Sequence, residues 1–142
     1  MQNLIYALIQ VIHNFGAATV VGSAASALWL LRGDTGLVRG DAAVQRRLAI
    51  LAAAAWAVQA ASGALFGLTT YYFEHHLPDI HGIAVDALLV KIICAAAGFI
   101  LAAAYVISGS RWAKHRRLLA WRVLLAIGAI ALASAAFLRW FS

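Results

Sequence analysis

The chain is short of acid, cysteine, proline and charge in general, and each shortage removes a class of protein. Only 5 of its 142 residues are Asp or Glu. Of these, Asp86 alone falls inside a long apolar run, which argues against a carboxylate-based proton pump or cation antiporter. The single cysteine, Cys94, excludes an intrachain disulfide and a cysteine-built metal site. It lies in an apolar run and reads as a small core residue. Proline occurs once, at Pro78, between two such runs. No Lys or Arg precedes Arg32. A secretory leader carries a positive segment ahead of its apolar stretch, so the first run is expected to be a retained helix. There is no nucleophile–base arrangement, phosphate loop or helical zinc motif.

What is present is apolar. The chain is 65% hydrophobic and 11% charged, with a mean hydropathy of +0.89. A soluble domain is about 45–50% apolar and about 25% charged. The composition is that of an integral membrane protein, and the length allows a single domain, 1–142. The net charge of +6 does not indicate nucleic acid, because the basic residues sit in short stretches between apolar runs. Those runs span 4–31, 48–72, 82–107 and 118–141. Each exceeds the roughly 20 residues needed to cross hydrocarbon. Backbone groups must be satisfied internally there, so each is expected to be a helix. The expected fold is all-α, a four-helix transmembrane bundle with antiparallel neighbours.

The connections set an orientation. Arg32, Arg39, Arg46 and Arg47 occupy 32–47, and Arg111, Lys114, Arg116 and Arg117 occupy 108–117, with Arg122 just beyond. The connection 73–81 has no Lys or Arg. By the positive-inside rule the first and third connections face the cytoplasm, and the second connection and both termini face the outer, periplasmic side. The expected location is a bacterial inner (plasma) membrane. Gly33-Asp34-Thr35-Gly36 reads as a turn, and Asp41 as the N-cap of a helix that starts before the membrane. Trp29, Tyr71, Tyr72, Trp112, Trp121, Trp140 and Phe141 lie near helix ends, as interfacial aromatics do, whereas Trp56 is deeper and packs in the bundle. Small residues from Gly16 to Ser26, and the stripe Gln59, Gly63, Gly67 and Thr70, read as helix-packing faces. Gln59 also needs a partner for its buried amide.

Two residues stand out. His13 and Lys91 each lie nine residues into an apolar run, about 13 Å along the helix at a rise of about 1.5 Å per residue. With the first and third helices entering from the same side, the two meet at one depth. A cation there costs about 2.5–3.5 kcal/mol, so such residues face the bundle interior and serve a function. His13, with Gln10 one turn before it and Asn14 beside it, is placed to ligate a metal or haem iron or to carry a proton. Its alternative is a hydrogen bond to a neighbouring helix. Lys91 has Asp86 five residues away, well round the helix. A haem propionate, a substrate carboxylate or a metal is therefore a better partner for it than an intrahelical ion pair. The second connection holds Glu74, His75, His76, Asp79 and His81, suitable ligands for copper or zinc, although their spacing matches no closed structural site.

The order of features resembles a known family. Ile12-His13-Asn14 lies early in the first helix, Gln45-Arg46-Arg47-Leu48 opens the second, and Leu88-Leu89-Val90-Lys91 lies in the third. This is similar to the small four-helix membrane protoporphyrinogen oxidases of the HemJ type and the related copper-resistance D-like (CopD) membrane proteins. The resemblance implies a b-type haem and a functional pair formed by His13 and Lys91. Where the oxidases carry an Asn-Glu-Pro-like stretch, this chain reads Leu118-Leu119-Ala120-Trp121-Arg122. The resemblance therefore bears on fold and haem binding more than on porphyrinogen oxidation. Three functions remain open at this point. The first is a haem-binding redox protein acting on a porphyrin or passing electrons from quinone. The second is a copper- or zinc-handling protein using the second connection. The third is a cofactor-free anchor or accessory subunit of a membrane complex or homo-oligomer.

Overall fold

The computed structural model describes residues 1–32, 38–76 and 81–141, and their side chains apart from those of 32, 38–41 and 141. Four helices account for the apolar runs: α1 (Gln2–Arg32), α2 (Val38–Glu74), α3 (Ile83–Ser108) and α4 (Lys114–Phe141). A 3₁₀ turn, Gly109–Arg111, joins α3 to α4. Each helix is long and apolar enough to cross a membrane, and the chain is an integral membrane four-helix bundle. The helices pack in a ring, α1 against α2 and α4, and α3 against α2 and α4.

α1, α2 and α4 outrun their apolar stretches, α2 most of all. It has 37 residues, or about 55 Å of helix against about 30 Å of hydrocarbon. It begins at Val38, so Asp41 lies inside its first turns and does not cap it. The expected turn at Gly33-Asp34-Thr35-Gly36 lies outside the described residues. The far end of α2 is closed by His75, which adopts φ 58° and donates its N–H to the Tyr71 carbonyl at 3.0 Å. Gly82 precedes α3 at φ 53°, a conformation that glycine adopts without strain.

The interior is layered along the bundle axis. At the basic end Ala24, Ala27, Leu28, Ala49, Tyr105, Trp121 and Leu124 form one cluster. Trp121, expected at an interface, is instead fully buried there, its ring centroid 4.9 Å from that of Tyr105. It lies two turns into α4, and the face it occupies turns inward. In the middle, Val20, Ala55, Trp56, Cys94 and Ala131 form a second cluster. Gly98 is required there, because a β-carbon would run into the Trp56 indole. The packing faces are narrower than the small-residue stripes. Gly16, Ser23 and Ala24 are buried, but Gly22, Ala25 and Ser26 are exposed. Gly63 is also exposed, and neither it nor Gly67 has a neighbour where a side chain would project. Toward the opposite end the interior becomes polar.

Candidate functional site

The polar interior is built where stripes on α1 and α2 face each other. On α1 the stripe is Tyr6, Ile9, His13 and Gly16; on α2 it is Gln59, Ser62, Phe66 and Thr70. Both follow the three- and four-residue spacing that keeps side chains on one helix face. The Tyr6 hydroxyl lies 3.0 Å from Thr70 Oγ1. The Phe66 ring stacks on Tyr6 at 6.3 Å and meets the edge of His13 at 6.0 Å. Gln59 donates its amide N–H to the backbone carbonyl of His13, which supplies the partner that its burial requires. Gly16 leaves room for this contact, since a β-carbon there would lie 2.7 Å from Gln59 Nε2.

His13 is 8% exposed and both of its ring nitrogens are engaged. Nδ1 lies 2.7 Å from Ser62 Oγ, and Nε2 lies 3.0 Å from Lys91 Nζ on α3. The lysine thus reaches across the diagonal of the bundle. With Lys91 as an ammonium, which can only donate, Nε2 accepts from it and the imidazole proton sits on Nδ1. Nδ1–H then donates to Ser62 Oγ, whose own hydroxyl donates to the Val58 carbonyl at 2.6 Å. An imidazole anchored through Nδ1–H with its Nε2 lone pair presented is the arrangement found in metal-ligating histidines.

The expected meeting of His13 and Lys91 at one depth is therefore present. The structure pairs Lys91 with a neutral imidazole and not with a carboxylate; Asp86 is exposed on another part of α3. Among the described residues the lysine has no counter-anion.

The polar neighbours of His13 are placed differently from expectation. Gln10 and Asn14 are exposed, and Gln10 Nε2 donates to Asn14 Oδ1 at 2.7 Å. One helical turn apart, the two amides satisfy each other on the outer face of α1 while His13 turns inward. Neither touches the imidazole. In the second connection His75, His76, His81 and Glu74 are exposed, and His76 Nε2 lies 3.7 Å from Glu74 Oε2. Among the described residues no three His, Cys, Asp or Glu side chains come together to hold a metal ion. Asp79 lies outside the described residues.

Ser62 was not singled out by the sequence. Serine in a membrane helix commonly satisfies itself on a carbonyl one turn back, so it carries no signal of its own. Its position three residues after Gln59, on the face that meets α1, is the pattern that would have marked it. Searches against family models, curated proteins and solved structures find no match to this chain.

Proposed function

We propose that the chain is a membrane redox protein that binds a b-type haem at the His13–Lys91 pair. One observation carries this reading: the Nε2 lone pair of a buried imidazole is held by an intramembrane lysine that has no counter-anion among the described residues. A haem offers the complement to both, iron for Nε2 and a propionate for the ammonium. The donor set fits such a group. Ser62 holds the His13 ring and its tautomer, which keeps Nε2 basic toward iron. A contact of 3.0 Å between Nε2 and Nζ leaves no room for iron between them. Lys91 would therefore swing from the imidazole to a propionate and serve as charge partner, with His13 the ligand.

When bound, haem supplies one-electron chemistry, and the surrounding protein sets its ligation, charge and access to solvent. Phe66, against the imidazole edge, and the Tyr6–Thr70 pair lie on the side of the site toward the α1 start. Lys91 also suits the carboxylates of a porphyrinogen, which keeps a protoporphyrinogen-oxidase-like activity beside electron transfer from quinone. With the basic connections cytoplasmic, the site falls in the outward half of the membrane.

The test is an absorption spectrum of the detergent-purified protein, oxidised and then dithionite-reduced, beside His13→Ala and Lys91→Ala. A Soret band that sharpens on reduction with b-type α and β bands is expected. His13→Ala should abolish it, and Lys91→Ala should weaken retention while preserving band shape. A colourless protein from haem-replete cells sinks the proposal.

A further inference from the structure

A second polar interior lies at the basic end of the bundle, remote from His13. Gln45 on α2 is 1% exposed. Its Oε1 accepts from the Tyr105 hydroxyl on α3, and its Nε2 has no hydrogen-bond partner among the described residues. Arg117 Nε, in the first turns of α4, is also buried and has no hydrogen-bond partner among the described residues. A buried donor without an acceptor bears its whole desolvation cost, so native proteins rarely leave two together without a reason.

Both residues line one small cleft, together with Ala42, Arg46, Tyr105, Gly109 and Ser110. Among the described residues the lining offers N–H and O–H groups and two guanidinium ions, and no carboxylate. The cleft itself has room for about one water-sized group. One oxygen of a tetrahedral oxyanion would take up that space, leaving the rest of the anion at the mouth, where Arg46 is exposed and charge-assisted hydrogen bonds from the two guanidinium ions are available.

One turn along α2 from Arg46 comes Ile50, at the near end of an apolar groove between α2 and α3 of about 350 Å³. Ala54 and Ala57 line it from α2, and Phe99, Ala103 and Ile107 from α3. A cationic cleft one helical turn from an open apolar groove has the polarity of a lipid, charged at the head and apolar along the chain.

We propose that this is a binding site for an anionic glycerophospholipid. The phosphate sits between Arg46 and Arg117 with one oxygen on Gln45, and an acyl chain lies along the α2–α3 groove. Arg47, Arg111, Lys114 and Arg116 lie nearby in sequence, at the same end of the bundle, and raise the local concentration of acidic lipid. The site is independent of any cofactor at His13.

The test titrates the delipidated full-length protein with phosphatidylglycerol, with phosphatidylcholine of the same chains, and with inorganic phosphate, read by native mass spectrometry. Phosphatidylglycerol is expected to bind roughly tenfold tighter than phosphatidylcholine. Arg46→Ala, at an exposed side chain, should weaken it roughly fivefold. The double variant with Arg117→Ala should remove the preference. Ala54→Phe, also at an exposed position, fills the groove and should weaken both lipids without removing the preference between them. Equal binding of the two lipids, or an undiminished preference in Arg46→Ala, overturns the proposal. Inorganic phosphate binding as tightly as the lipid, with Ala54→Phe silent, overturns it in favour of a free-phosphate site.

Discussion

At the scale of single residues, Lys91 separates function from structure. Its ammonium is held in the membrane by an imidazole that carries no charge to oppose it. A hydrogen bond to a neutral imidazole offsets only part of the burial cost of about 2.5–3.5 kcal/mol, so the charge is expected to cost stability. Lys91→Met keeps the length and removes the charge. We expect the variant to be more stable in detergent by about 1–3 kcal/mol, and so to unfold at higher temperature, while haem retention falls. Lower stability in Lys91→Met would make the lysine a structural strut. The sequence showed Lys91 and His13 because charge and imidazole are conspicuous against alanine and leucine. It did not show Ser62, which accepts from the imidazole Nδ1–H, because a serine that bonds its own helix looks the same whether or not a neighbour uses its oxygen.

At the scale of helices, the apolar runs were legible because a lipid environment leaves the backbone no alternative to helix. Their ends were not. The segment 38–47 is polar and charged, yet α2 runs through it, since helix propensity and the neighbouring turns carry it beyond the membrane. Nor does composition say which face of a helix meets a partner. Gly16 and Gly63 look alike in sequence, but only Gly16 sits against another helix. The α1–α2 contact gives a direct test. A β-carbon at Gly16 would lie 2.7 Å from Gln59 Nε2, so Gly16→Ala should cost about 1–2 kcal/mol despite the better helix propensity of alanine. In a Gln59→Ala background that collision is gone, and the same change should be neutral or stabilising. Thermal unfolding of the four proteins in a double-mutant cycle measures the coupling, expected at about 1–2 kcal/mol. Additive effects would show that Gln59 does not hold α1 against α2.

At the scale of the whole molecule, the two polar centres occupy opposite ends of one bundle, and their meaning depends on which end faces the cytoplasm. The charge asymmetry is strong: the connections at one end hold Arg46, Arg47, Lys114, Arg116 and Arg117, and the connection at the other holds no Lys or Arg. Positive-inside orientation puts the lipid site in the cytoplasmic leaflet, where anionic lipids concentrate. It puts His13 and Lys91 nearer the outer face. The single native cysteine makes this measurable without a cysteine-free background, because Cys94 is buried in the middle layer of the core. His76 and His115 are both exposed, one in each kind of connection. In intact cells a membrane-impermeant maleimide should label His76→Cys, and should reach His115→Cys only after permeabilisation. The reverse pattern would invert the protein, moving the His13 site toward the cytoplasm and the basic cleft toward the outer leaflet. An electron donor for the proposed haem would then be a cytoplasmic one, and the acidic-lipid supply of the cytoplasmic leaflet would no longer reach the cleft.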